Sequence, residues 1–388
     1  MSTNSLLLHP SSIQCRVIES LRERIQSGRY AAGEWLPSER ELTEDFQVHR
    51  KIIRTAIVQM VSEGLLTREP NCRPIVKAPP LQGAVSGTIS SSQLAASRLV
   101  ALSMWHGGGE SGSPQQRIFW GLNQALGQGG YHGVFLDLGD SIGTRKENAE
   151  REALHLQYAL DQGFGGIIFN AYAYQDNHEL IQKVARQMPT VLIDRVLVGV
   201  EADFAGLQNR QAMYDATKYL IDQGHRRIAY VTKSESINPV QDRLQGYLSA
   251  MYDAFDRTAG EMVISTPFSD SYSWIVFDAI FRLSPEERPT AVLCVNDLDA
   301  VRVAEQLEKL GFSVPEDVSL IGFDNIVRSL PSGVGLTTMA QPFEEIGAAA
   351  ARLFFRRLKD HSAPQSHMEI PATLVVREST RSIKNEAN

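Results

Sequence analysis

Arg50, Lys51 and Arg54 stand within five positions of one another in the run LPSERELTEDFQVHRKIIRTAIVQMVSEGLL, residues 36–66. On a helix Arg50 and Arg54 are one turn apart and share a face, opposite Ile53 and Ile57. A guanidinium bonds a guanine edge through two parallel N–H groups or holds a phosphate; a lysine ammonium holds phosphate as a point charge. On an isolated helix the same three residues would as readily form a solvated basic face. The pattern around them decides for DNA.

A second stretch has chemical potential of another kind. Gly107, Gly109 and Gly112 in WHGGGESG satisfy GxGxxG directly after an apolar run, and Asp137 follows 25 positions later. Dinucleotide-binding turns use that glycine spacing, with an acidic residue about 20 positions on. A chain with 29 glycines yields such matches by chance. No nucleophile–base pair, metal cluster or P-loop lysine accompanies the motif, and Cys15, Cys72 and Cys294 have no metal-binding spacing. No cofactor and no metal are expected. A nucleotide-dependent enzyme is the alternative this loop keeps open.

Bases read DNA only when a scaffold presents them. Ser38 and Glu41 have capping-box spacing, each able to satisfy a free amide at the start of a short helix whose Leu42 and Phe46 face inward. A second helix, from about Val48 to Gly64, puts Ile53, Ile57, Met60 and Val61 on one face and the three bases near its start. Upstream, Ile13, Val17, Leu21 and Ile25 recur at four-residue spacing, an amphipathic helix over 11–28. Downstream, Leu65 to Val76 suits two short strands around a turn at Pro70–Pro74. This is the pattern of a helix-turn-helix with a wing, which sets the start of its second helix into the major groove.

Residues 77–96 lose apolar periodicity and are rich in Pro, Gly and Ser, which predicts a flexible linker. From Arg98 onward short apolar runs alternate with amphipathic segments. Strands are predicted at 99–104, 132–138, 165–170, 190–194, 227–232, 291–296 and 318–323, with helices such as 115–128, 147–162, 211–223 and 299–310 between them. Near-continuous apolar strands separated by helices imply parallel sheets covered on both faces. Their number exceeds one comfortable sheet, so the fold class is α/β with two lobes behind the reader.

Composition bounds the function. The chain has 388 residues, 43% hydrophobic and 21% charged, room for two or three globular domains. No apolar run approaches the roughly 18 residues of a membrane span. The N-terminus lacks a signal-peptide pattern, so a cytoplasmic protein without a membrane partner is expected. Net charge is −7, but it divides unevenly: +2 over residues 1–80 and −9 over the rest. An acidic bulk opposes non-specific adhesion to nucleic acid, so DNA binding must be local and geometric.

The first 80 residues resemble the winged helix-turn-helix domain of GntR-type regulators, through residues 36–66 placed at the right distance after a first helix. Residues 98–380 resemble the effector domain of LacI-type regulators, the fold of periplasmic sugar-binding proteins. The motifs are VLIDR (191–195), LIDQGHRRIAYV (220–231), DRLQGY (242–247), VNDLDA (295–300), VPEDVSLIGFDN (314–325), LTTMAQPFEEIG (336–347) and LVVREST (374–380), in family order. The whole is similar to hybrid regulators such as arabinose repressors. The domains then run 1–77 for the reader, 78–97 for the linker, 98–380 for an effector-binding and dimerisation domain and 381–388 for a tail.

By this resemblance Arg40, His49, Arg50, Lys51 and Arg54 occupy DNA-contact positions, with His49 where the family often has Ser or Thr. Asn71 and Arg73 replace the usual wing glycines. Asn71 tolerates a left-handed turn, and Arg73 suits phosphate or a narrow minor groove. In the effector domain the resemblance points to Asp194, Arg243, Phe268, Asn296, Asp297 and Asp324, with Trp105 a further candidate wall. Carboxylates, amides and arginines bond sugar hydroxyls in pairs, and an aromatic wall covers the C–H face. Asp324 could instead cap a turn, and Asn296 could bond its own backbone. The implied function is a ligand-responsive repressor of carbohydrate-utilisation genes. It would bind pseudo-palindromic double-stranded operator DNA as a homodimer and be released by a sugar-like effector. A stand-alone small-molecule binding protein is the other alternative.

Overall fold

The computed structural model describes residues 34–62, 66–67, 73–76, 98–104, 112–138, 144–233, 237–255, 262–265 and 271–383, with shorter stretches between 17 and 30. The chain divides into two units, Met1–Thr88 and Ile89–Asn388. The predicted linker 78–97, Asn71, Trp105, Phe268, Gly107 and Gly109 lie outside the described residues.

In the first unit, α1 (Glu39–Phe46) opens on the predicted capping box, with the Glu41 amide donating to the Ser38 hydroxyl and the Ser38 amide to the Glu41 carboxylate. Gln47 is left-handed, at φ 54°, and turns the chain sharply into α2 (Arg50–Ser62). The second helix therefore begins two residues later than its apolar spacing suggests. Strands β1 (Leu66–Thr67) and β2 (Ile75–Val76) pair antiparallel as the wing, and Trp35 bridges to Ile75. Val17, Leu21 and Ile25 from the upstream helical residues, Leu42 of α1 and Ile53, Ile57 and Met60 of α2 close one apolar core.

The second unit has two sheets. In chain order its elements are β3 (Leu99–Met104), α3 (Pro114–Gln128), β4 (His132–Asp137), α4 (Arg145–Asp161), β5 (Gly166–Phe169), α5 (Tyr174–Gln187), β6 (Thr190–Ile193), β7 (Asp203–Leu207), α6 (Asn209–Asp222), β8 (Ile228–Thr232), α7 (Asn238–Phe255), β9 (Met262–Ser265), α8 (Ser271–Phe281), β10 (Ala291–Cys294), α9 (Asp297–Lys309), β11 (Ser319–Asp324), β12 (Thr337–Ala340), α10 (Phe343–Lys359), β13 (His367–Ile370) and β14 (Thr373–Val375). One sheet orders β13-β7-β6-β5-β3-β4 and is wholly parallel. The other orders β14-β12-β11-β10-β8-β9, with only β14 antiparallel. The chain crosses between lobes three times, after β7, after β12 and between β13 and β14. Strands such as GIIF, TVLI and AVLC are buried along their whole length, as sheets covered on both faces require.

Glycines let key helices touch backbone to backbone. A Cβ on Gly121 of α3 would lie 2.0 Å from the Glu344 carbonyl of α10, and one on Gly347 of α10 would lie 2.1 Å from the Ile118 carbonyl. Gly246 brings α7 equally close to the Arg210 carbonyl of α6. These contacts fix where the N-terminal ends of α3, α7 and α10 point, and all three ends border the cleft between the lobes. The C-terminal residues do not leave the domain at 381. Arg381 donates its amide to Ser319 Oγ and Ile383 donates to the Gln223 carbonyl. Buried His225 holds Thr290 and the Arg381 carbonyl, a structural role.

Candidate nucleic-acid interface and ligand cleft

Helix α2 is amphipathic in the sense that DNA reading needs. Ile53, Ala56, Ile57 and Met60 are buried, whereas Arg50, Lys51, Arg54, Thr55 and Val58 are exposed. Arg40 and His49 are exposed as well, on α1 and in the turn, and Arg73 is exposed beside the wing. Glu39, which the sequence reading passed over, ties the group together. Its Oε2 accepts from Arg50 Nε at 2.8 Å and Arg54 Nε at 2.9 Å. Burial pushes the Glu39 carboxyl up, but the two arginines outweigh that and hold it below its ordinary range. With both Nε atoms bonded to one carboxylate, the terminal nitrogens of the two guanidinium groups are oriented together as donors.

The cleft lies within the second unit, at the carboxyl ends of both sheets, where open α/β sheets receive ligands. It encloses about 270 Å³, near the lower end of the roughly 300–1,000 Å³ of ligand pockets, so it suits a compact molecule. Asp194 and Asn170 come from one lobe, Arg243, Asn296 and Asp324 from the other, and Gln341 from the crossing after β12. Lys233 and Tyr172 also line it, between Ile118, Ile193, Val240 and Ile346.

Asp194 and Asp324 end strands β6 and β11 in positive-φ conformations, at 68° and 107°. Short polar side chains visit the left-handed region most readily, but 107° lies beyond its favoured part and stores strain of about 1–3 kcal/mol. Both carboxylates line the cleft. Gln341 Nε2 donates to Asp324 Oδ1 at 2.6 Å, and Arg243 Nη1 lies 3.8 Å from the same oxygen. The Asp324 carboxyl stands at about 7: burial pushes it up most, Arg243 and Gln341 pull it down, and Asp297 and Asp194 add to the rise.

Arg243 is 7% exposed and packs its guanidinium 3.7 Å from the centre of the Phe323 ring. Its Nε donates to Asn209 Oδ1 at 2.8 Å and its Nη1 to the Val295 carbonyl at 2.6 Å. Asn296 lines the cleft and also caps α9, accepting from the Asp299 amide at 2.8 Å; its backbone bond is to the helix that follows and not to its own strand. Asn170 Nδ2 donates to Asp194 Oδ2 at 3.4 Å, and its Oδ1 is buried with no partner among the described residues.

Asp297 departs from its expected place. It is fully buried, outside the cleft lining, and its oxygens accept from the Ile326 and Val327 amides and the Thr338 hydroxyl. The helix start it occupies turns it toward the loop behind the cleft wall. Asn170, Lys233 and Gln341 were missed in the sequence. Asn170 closes the strand GGIIFN and Lys233 follows the strand RIAYVT, where the carboxyl-end rule could have found both; Gln341 lies within the motif LTTMAQPFEEIG.

The titration of Asp324 has a consequence for stability. The folded protein keeps this proton to about pH 7, whereas the unfolded chain releases it near 3.8. The group's contribution is thus fully present below 3.8 and is lost as pH rises through about 7. Asp324→Asn removes that loss. Scanning calorimetry is expected to show the variant gaining in melting temperature over the native chain as pH is raised from about 5 to about 8. A constant difference across that range would mean that Asp324 is ionised throughout.

The comparisons with known proteins agree with this division. Residues 13–73 match the bacterial regulatory proteins of the gntR family, and residues 217–380 match the periplasmic binding protein-like domain. The HTH-type transcriptional repressor PurR of Pasteurella multocida is 30% identical over 238 residues, 61% of this chain and 70% of that protein. The arabinose metabolism transcriptional repressor of Geobacillus stearothermophilus is 26% identical over 369 residues, 92% of this chain and 95% of that protein. A LacI family transcriptional regulator from Enterococcus faecium, solved with bound ribose, superposes with a TM-score of 0.58 at 22% identity, covering 74% of this chain and 100% of that one. No helix among the described residues is long and apolar enough to cross a membrane.

Proposed function

Because the chain belongs to the transcription regulators that join a gntR-family DNA reader to a periplasmic-binding-protein-like domain, we propose that its cleft takes a compact sugar whose binding releases the reader from an operator. The chain is a DNA-binding transcription regulator, not an enzyme, as are the relatives that it matches. The observation that carries the sugar reading is the cleft's polar set. Carboxylates Asp194 and Asp324, amides Asn170, Asn296 and Gln341, and the cations Arg243 and Lys233 converge on a small space between aliphatic walls. Hydroxyls that donate and accept in pairs satisfy such a set, and the unpartnered Asn170 Oδ1 asks for a donor. The arabinose repressor's name and the ribose held by the Enterococcus protein point to the same ligand class.

Arg40, His49, Arg50, Lys51, Arg54 and Arg73 are the proposed DNA contacts. Arg50 and Arg54 read base edges, and Arg40 and Arg73 hold phosphate. Two readers on a pseudo-palindromic site require a second copy of the chain. Its proposed seat is the side on which both sheets end, at β4 and β9. There Ile275 and Val276 of α8 are 60% and 41% exposed, on a helix with one charged residue, Asp278, and Trp120 of α3 is 67% exposed. Closure of the lobes around the sugar would change the spacing of the two readers.

A thermal-shift screen of the full chain against D-ribose, L-arabinose, cellobiose and their phosphates tests the reading. A sugar at 100 times its dissociation constant adds about 2.7 kcal/mol to stability, a shift of several degrees. A shift with neutral sugars supports it. No shift with any of the six compounds would overturn it.

A further inference from the structure

Two buried carboxylates outside the cleft act on its walls in the same way. Glu152, on α4, is fully buried; its Oε2 accepts from the Tyr172 amide at 2.6 Å and the Ala173 amide at 3.2 Å, and its Oε1 from Asn177 Nδ2 at 3.0 Å. Asp297, at the start of α9, is fully buried in the other lobe; its Oδ2 accepts from the Ile326 amide at 2.7 Å and the Val327 amide at 3.1 Å, and its Oδ1 from the Thr338 hydroxyl at 2.6 Å. The register is identical. Each carboxylate takes the amides two and three residues beyond a cleft-lining position, Asn170 in one lobe and Asp324 in the other.

We infer that Glu152 and Asp297 are positioning residues: they clamp the loops after β5 and β11 so that Asn170, Tyr172 and Asp324 stand in ligand-binding pose before a ligand arrives. Burying a carboxylate is costly unless donors fill it, and here each one meets three. A purely packing role would be met as well by an apolar side chain. The helix behind Glu152 adds a second reason: α5 begins at Tyr174 with no side-chain cap, and Glu152 holds the Tyr172 and Ala173 amides at its entrance. Burial pushes the Glu152 carboxyl up, against the Asn177, Ala173 and Tyr172 hydrogen bonds and the nearby Arg195 charge, which favour its ionised form. Arg195 also packs over the Tyr172 ring at 4.7 Å and joins the same loop. Sites tolerate little looseness, and a side chain that fixes contacting residues commonly carries an effect of about tenfold or more without touching the ligand.

The inference rests on the cleft being the sugar site, so the test separates the two. Full-length Glu152→Leu, Glu152→Asp and Glu152→Gln are compared with Arg243→Ala by hydrogen exchange and by titration with whichever of D-ribose, L-arabinose and cellobiose stabilises the native chain most. Glu152→Asp keeps the charge but withdraws it by about 1.5 Å and guards against a leucine variant that fails to fold. Glu152→Gln can still accept from both amides. Leucine and aspartate are expected to speed exchange at 170–173 locally and to weaken sugar binding by about tenfold or more, with glutamine within about threefold of native and operator affinity unchanged. Native exchange at 170–173 in both breaking variants would overturn the inference. So would unchanged sugar affinity in them while Arg243→Ala abolishes binding. If Arg243→Ala binds normally too, the sugar reading of the cleft fails, and the positioning role falls with it.

Discussion

Replacing Arg54 with alanine is expected to lower operator affinity by about 30-fold or more and to leave sugar affinity unchanged. The side chain is 58% exposed on the face of α2 opposite the core, and Glu39, which its Nε holds, keeps Arg50 as a partner when Arg54 is truncated. A bidentate contact to a base is worth about 1–3 kcal/mol, and a two-fold dimer loses it twice. Reader and core are separate units, so the cleft should not sense the change. Fluorescence anisotropy with an operator duplex measures the first quantity and sugar titration the second. The salt dependence sharpens the result. A lost base contact relaxes discrimination between operator and random DNA, whereas a lost phosphate contact weakens both and lowers the salt slope by about one per copy. Loss of sugar binding as well would show that the variant has unfolded.

Arg243→Ala is expected to do the reverse and yield a protein that binds its operator normally but releases it only at much higher sugar concentration. The guanidinium joins three parts of one lobe: Asn209 at the start of α6, the Val295 carbonyl beyond β10 and Asp324 at the end of β11. Truncation leaves two buried acceptors unfilled and removes the cation nearest the Asp324 carboxyl. Loss of one partner from a buried charged set costs about 2–5 kcal/mol, so the sugar concentration needed for release should rise about 30-fold or more. Lysine should not rescue it, because one ammonium cannot span Asn209 and Val295 while stacking on Phe323. Operator affinity without sugar should match the native chain, and far-ultraviolet circular dichroism checks the fold. Normal release would place the effector elsewhere.

Much of this was legible because it is local. Ser38 and Glu41 announce α1 through their spacing, and the cap forms as read. The apolar runs at 99–104, 190–194 and 291–296 mark buried parallel strands because both faces of such a sheet are covered. The short strand DFAGL was not legible, since its first residue is a fully buried aspartate met by Arg356, Arg357 and the Ser366 amide from far along the chain. Strands β13 and β14 escaped for a related reason: three or four residues each, on opposite lobes, they are strands only through their neighbours. The cleft shows the same limit. Asp194, Arg243, Asp324 and Gln341 all lie in motifs, but Gln341 meets Asp324 because β12 pairs with β11 and sets Ala340 opposite Asp324, a register that the sequence does not show. Asp297 stands one position from Asn296, yet the helix it begins sends its side chain to a different task.

The central claim is that one cleft controls one reader, and thermodynamic reciprocity tests it most directly. The affinity of the strongest stabilising sugar is measured by calorimetry with and without saturating operator duplex, and operator affinity with and without saturating sugar. The two ratios are expected to agree and to lie at about 5- to 150-fold, with each ligand weakening the other. A sugar that binds equally tightly to the free and the operator-bound protein would contradict the claim, because a ligand without that difference cannot move the reader.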